Sequence, residues 1–351
     1  MEAKKTESAV NAGLAWLARV QEADGHWDSK KFGGGNFHNP NKAAASSVDV
    51  AATGMALLAF LGAGHTEKVG RYKDNVQRGV AWLLKSQQAN GELGPSTDIT
   101  GYAHAIAGMA LSEAAAMGRV QATREAAQKA VDRTCGAGAK WEEDSERAGW
   151  SYAAYQYQEL YGDISNSGWH MMFVKSAKVA GLHINPSSIE GITRFLDSVE
   201  RGKKEGEPYS GHRYTYQPRT PNEGTERQTA IGCLCRLFFG TPPEELKGGV
   251  EYMLHGWPGG YPKAHPVNGG VELYYVYYGT LVTFQMGGEM WAKWNEAMQQ
   301  ALLPHQIKDG GANDGSWNPE GQFAPVWGRV GQTAMALLCL EVYYRYLPMY
   351  R

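Results

Sequence analysis

The stretch AVNAGLAWLARVQEADGHW, residues 9–27, decides the fold of this 351-residue chain. It reads as a helix with small residues, an aromatic–aliphatic pair and then a glycine turn. The pattern returns as NVQRGVAWLLKSQQANGEL at 75–93 and, more weakly, as REAAQKAVDRTCGAG at 124–138, followed by Gly149-Trp150. Further copies are SIEGITRFLDSVERG at 188–202, ELKGGVEYMLHGWPGG at 245–260 and KWNEAMQQALLPHQ at 293–306, the last ending in GSW at 315–317. Recurrence of one supersecondary unit is the signature of a repeat architecture.

A second segment type alternates with the first, at 46–64, 98–118, 163–182, 226–240, 271–288 and 329–348. These segments are apolar or small nearly all round, as helices buried on every side must be. Several open on Ser, Asp or Glu and several end on Gly, residues that suit helix starts and stops. Six amphipathic helices alternating with six apolar ones predict an all-α (α/α)6 barrel, a toroid of outer and inner helices. Closing the ring removes both open ends of a solenoid. The inner helices then run parallel, and their N-termini converge on one rim.

Composition bounds the function. Hydrophobic residues make up 43% and charged residues 20%, as in ordinary globular proteins. The formal net charge is -2 and no basic face is advertised, so nucleic acid is not an expected partner. No apolar run reaches the ~18 residues of a membrane span. The opening MEAKKTESAV has no signal-peptide core. The twelve-helix repeat reads as one domain, 1–351; because the first helix begins almost at once, excision from a longer protein with loss of a leader or anchor is an open reading, and the compartment is left open. Cys135, Cys233, Cys235 and Cys339 form no C-x-x-C and read as buried thiols. No cofactor and no metal site are expected.

The turn Gln21-x-x-Asp24-Gly25-x-Trp27 resembles the Q-x-x-D-G-x-W (QW) turn of squalene–hopene and terpene cyclase repeats, with partial copies in Gln87-x-x-x-Gly91 and Gly315-Ser316-Trp317. As a repeat pattern the resemblance runs over almost the whole chain. The segments GWHMMFVKSAKVAGL and TAMALLCLEVYYRYLPMYR are similar to squalene-cyclase-repeat proteins of planctomycete-type bacteria. The resemblance implies the toroid shared with prenyltransferases and an isoprenoid or other apolar ligand in its centre. The family's acid motif D-x-D-D is absent; Ser46-Ser47-Val48-Asp49 keeps one acid. The magnesium motif D-D-x-x-D is absent as well, and Cys233 and Cys235 lack the acid that completes a prenyltransferase zinc set. Whether the chain is an enzyme therefore stays open.

Candidate residues lie where inner helices begin. Asp163, His170, Asp49, Asp98 and His104 are the candidate acids and bases. Tyr102, Trp169, Arg227, Glu272, Tyr274, Tyr275, Tyr278 and Arg329 are the candidate ligand contacts. The segment Asp163-Ile-Ser-Asn-Ser-Gly-Trp-His170 ranks first, because it combines carboxylate, hydroxyls, amide, indole and imidazole. Each group has a plainer reading: the aspartates as helix caps, the histidines as core groups, the arginines as partners of nearby acids, and the tyrosines of 272–284 as a helix–helix seam. The loop 309–318 reads as a turn, and 28–45 as an exposed loop or lid. Three functions fit: a toroid holding an apolar small molecule, a non-catalytic scaffold for a protein partner, and a carbohydrate-active ring, which needs two facing carboxylates.

Overall fold

The computed structural model describes residues 2–34, 42–95, 100–137, 149–152, 162–202, 211–221, 224–255, 271–321 and 324–343. Twelve α-helices lie among them: α1 Glu2–Val20, α2 Lys42–Gly62, α3 Lys73–Ser86, α4 Thr100–Gly118, α5 Gln121–Ala137, α6 Ile164–Val179, α7 Pro186–Val199, α8 Glu226–Phe238, α9 Lys247–His255, α10 Leu273–Met286, α11 Gly288–Leu302 and α12 Ala324–Leu340. Each even-numbered helix packs on the next even one, and α12 packs back on α2. That closes an inner ring of six. Of the odd helices, α1 packs mainly on α12, α3 on α2, α5 on α4, α9 on α8 and α11 on α10.

The two helix types differ as their sequences require. Outer α7 buries one stripe, Ser188, Gly191, Ile192, Phe195, Leu196 and Val199. Inner α6 buries every residue from Ile164 to Val174. Small residues let inner helices touch: a Cβ on Gly54 of α2 would sit 3.0 Å from the backbone of Ala107 in α4.

Three equivalent turns tie one repeat to the next. Gln21 Nε2 donates to the carbonyls of Gly25 (2.8 Å) and of Asn75 in α3 (3.0 Å). Gln87 Nε2 does the same to Gly91 and to Ala126 in α5, and Gln306 Nε2 to Gly315 and to Ala9 in α1. The last pair joins the end of the ring to its beginning. The residue two after the turn glycine then hangs on the next inner helix: the Trp27 amide donates to Thr53, that of Leu93 to His104 and that of Trp317 to Thr333, and in the repeat between α5 and α6 the Trp150 amide donates to Ser167.

Some boundaries depart from expectation. The span Ala324–Leu340 is two helical pieces meeting at non-helical Gly328 (φ 60°), so the long inner helix begins just after it, at the expected 329, with a short helical piece before the kink. Part of the expected 28–45 loop is the first turn of α2. A two-residue antiparallel pair, Glu200–Arg201 with Arg213–Tyr214, joins α7 to α8 and has no sequence signal of its own. All four cysteines are free and buried. No described helix is long and apolar enough to cross a membrane.

Candidate functional site at the N-terminal rim

The starts of α4, α6, α8, α10 and α12 meet on one rim, and Asp163 sits among them. It caps α6 from extended backbone (φ -114°, ψ 149°), with Oδ1 accepting from the Asn166 amide at 2.9 Å. The loops before it are fixed by main-chain bonds: the Asp163 amide donates to Trp150 O (3.0 Å) and the Ile164 amide to Tyr216 O (2.9 Å). Ser165 Oγ donates to the same Oδ1. The Tyr102 hydroxyl of α4 lies 2.6 Å from Ser165 Oγ. Tyr274 of α10 donates to the Ser165 carbonyl at 3.1 Å.

Aromatic rings pack around this group. Tyr102 meets Tyr152 at 5.2 Å and Trp327 of α12 at 6.0 Å between ring centres, both edge-on. Tyr216 donates to the Tyr152 hydroxyl at 3.2 Å. Tyr274 leans on Tyr278 at 5.2 Å. Towards the middle of the ring, Trp169 stacks on Tyr277 at 5.5 Å and meets Tyr278 edge-on at 5.9 Å. All three are fully buried. They pack against one another between α6 and α10.

Asp163 is only 1% exposed. Burial raises its carboxyl to about 6, against the hydrogen bonds of Ser165 and Asn166 and the nearby Tyr216 hydroxyl, which ease the rise. Among the described residues Asp163 Oδ2 has no hydrogen-bond partner, and the same holds for both side-chain polar atoms of Asn166 and for Trp327 Nε1. These unsatisfied groups share one end of the ring. A buried polar atom without a partner costs about 1–3 kcal/mol, and native structures keep few of them.

The other expected residues are placed as follows. His170 stacks on Trp150 at 4.8 Å and is fully buried; burial, then the neighbouring His104, pushes its pKa well down. His104 accepts from the Leu93 amide through Nδ1 at 3.0 Å, and its Nε2 lies 2.9 Å from the Thr134 hydroxyl. Burial lowers its pKa to about 3, so its ring is neutral at physiological pH. Asp49 is half-buried and its Oδ1 accepts from the amide and hydroxyl of Ser29; burial raises its carboxyl. Arg227 of α8 faces Glu272 at 4.0 Å. Tyr275 points outward, donating to Met253 O at 3.0 Å and meeting Trp294. Arg329 is spent on the last turn, donating to Ser316 Oγ and Asn318 Oδ1. Asp98 lies outside the described residues.

The fold thus gathers Asp163, Tyr102, Trp169, Tyr274 and Tyr278, and holds His104, Tyr275 and Arg329 in contacts elsewhere. Sequence reasoning passes over Tyr152, Tyr216 and Trp327. The first two lie in loops, where helical periodicity gives no signal; the aromatic pairs in SYAAY and RYTY are the only hint.

The squalene-hopene cyclase C-terminal domain family matches residues 1–103. No curated protein matches the chain in sequence. Among solved structures, the chain is similar to the type II terpene cyclase MstE from Scytonema, seen with geranylgeranyl dihydroxybenzoate as substrate, at 12% identity and TM-score 0.60 over 99% of both chains. It is similar to the unsaturated glucuronyl hydrolase of Bacillus sp. GL1, at 14% identity and TM-score 0.65 over 97% of this chain and 98% of that one. It is also similar to cellobiose 2-epimerase from Bacillus thermoamylovorans, at 12% identity and TM-score 0.65 over 98% and 99%. At such identities the likeness establishes the fold: a terpene-cyclase-like toroid of a kind that also carries sugar chemistry.

Proposed function

We propose that the chain holds an isoprenoid or similar apolar molecule at the N-terminal rim of its inner ring, with Asp163 as the polar group facing it. The observation that carries this reading is the cluster of buried, unpartnered polar atoms, Asp163 Oδ2 with Asn166 and Trp327 Nε1, set among tyrosine and tryptophan rings. Such a lining, apolar and aromatic with a few convergent polar groups, is the general form of a small-molecule site. A carboxyl near 6 is well placed to act as a general acid close to neutral pH. Asp163 takes that role; His104 and His170 are assigned to the core. The partial family match and the MstE likeness lend weight to an isoprenoid over other apolar ligands.

The test is solvent extraction of freshly purified protein, before and after incubation with a mixture of isoprenoid alcohols and lipids, followed by mass spectrometry. About one bound isoprenoid per chain is expected, and Asp163→Asn with Tyr274→Phe should weaken retention roughly tenfold. A second reading, a non-catalytic scaffold with a protein partner, is favoured by the Trp169–Tyr277 stack, which fills space between α6 and α10. Clean extracts under both conditions would select it.

A further inference from the structure

Ser165 occupies a node. Its Oγ gives its hydrogen to Asp163 Oδ1, and the Tyr102 hydroxyl lies 2.6 Å from that same Oγ. With the serine hydrogen committed to the carboxyl, Tyr102 must be the donor. The Ser165 carbonyl is held in turn by Tyr274. Asp163 Oδ1 therefore accepts from two donors, the Asn166 amide and Ser165 Oγ. An oxygen that accepts twice is a poor place for a proton. The proton of neutral Asp163 belongs on Oδ2, the oxygen without a partner.

We propose that Ser165 and Tyr102 form a hydrogen-bond chain that holds the charge left on Asp163 when its Oδ2 proton passes to a ligand, which makes both of them positioning residues for that acid. The inference rests on the reading of Asp163 as the acid of the rim site. In the step itself the Oδ2–H bond breaks and its electron pair stays on the carboxylate. The proton bonds to an electron pair of the ligand, either a π bond or an oxygen lone pair. The ligand becomes cationic, and later loss of a proton returns it to Oδ2, so no oxidant or reductant is required. As charge develops, the Ser165 and Tyr102 hydrogen bonds strengthen, because donors to a charged acceptor bind about twice as tightly as to a neutral one. The other titratable groups around the carboxyl are the phenols of Tyr152 and Tyr216 from the loops and of Tyr274 from α10, with Arg227 of α8 next to Tyr274.

The chain is tested without any ligand, by carbon-13 titration of the aspartate carboxyls, with Asp163→Asn identifying the Asp163 signal. Ser165→Ala should raise the Asp163 midpoint by about one unit, the size of one lost hydrogen bond to a charged group. Ser165→Thr should restore it. Tyr102→Phe, one bond further away, should raise it by about half a unit. If Ser165→Ala does not fold, Tyr102→Phe and Ser165→Thr decide. A midpoint unmoved by Tyr102→Phe and by Ser165→Ala overturns the chain. Protein that retains isoprenoid but shows unmoved midpoints keeps the proposed function and loses this inference; shifted midpoints with clean extracts keep the hydrogen-bond chain to Asp163 but overturn its role toward a ligand, and the proposed function with it.

Discussion

At the residue scale, Asp163 is a helix cap whose charge opposes folding. A cap needs only an acceptor, which Asn supplies as well as Asp. Burial takes the Asp163 carboxyl from 3.8 to about 6, so the ionised form is disfavoured in the folded state. The folded chain binds this proton more tightly than the unfolded chain. Its stability is therefore fully present below the unfolded value and falls as pH rises towards 6, by about 3 kcal/mol for two units. Asp163→Asn should then be more stable than the parent at pH 8 by up to that amount, and equal to it near pH 4, in urea melts at both pH values. Equal stability at both would mean that the carboxyl ionises without cost. A group kept at such cost is the expected signature of a site, since functional positions are often not optimal for stability. The sequence shows Asp163 as a cap, because capping is local. It cannot show the burial, because Tyr102, Tyr216 and Tyr274 come from three distant parts of the chain.

At the element scale, the glycine turns are legible because their chemistry is contained in about seven residues. Gly25 has φ 107°, and a Cβ there would lie 2.3 Å from Arg78 O. Gly91 and Gly315 repeat the approach, at 2.3 Å from Lys129 O and from Ala12 O. Gly25→Ala should thus cost about 2–4 kcal/mol, from the left-handed backbone and the clash together. Gly136 of α5 has open space around its Cβ position, so Gly136→Ala should be neutral or stabilising by up to about 1 kcal/mol. Thermal melts of the two variants separate a glycine that the turn requires from one that it does not. The inner helices were equally legible in kind, since residues apolar on all faces have no place but a core. Gly328 shows an end that is legible too: its non-helical backbone separates the long part of α12 from the short piece before it.

At the scale of the whole molecule, the ring is closed by contacts between its first and last elements. Gln306 reaches Ala9 of α1, and Trp16 Nε1 donates to Ala312 O at 3.1 Å. Gln306 is buried, whereas Gln21 and Gln87 are half-buried. Removing it leaves two buried carbonyls without this donor. Gln306→Ala should cost about 1–3 kcal/mol, more than Gln87→Ala, where water can replace the lost donor. Hydrogen exchange should accelerate in α1 and in 306–317 for the first variant, and around α3 and α5 for the second. Uniform acceleration in both would mean that the ring opens as one unit rather than at its seam.

The sequence by itself determined that the chain is built from six pairs of helices, outer amphipathic and inner apolar, with glycine turns between them. These are properties of short windows, where periodicity and turn chemistry act locally. Only the tertiary structure decided which rim residues face one another. It set Tyr275, His104 and Arg329 in contacts away from Asp163, and brought Tyr152, Tyr216 and Trp327 to the rim. The reason is geometric: the starts of five helices converge there, and the direction of each side chain depends on packing against neighbours far away in sequence.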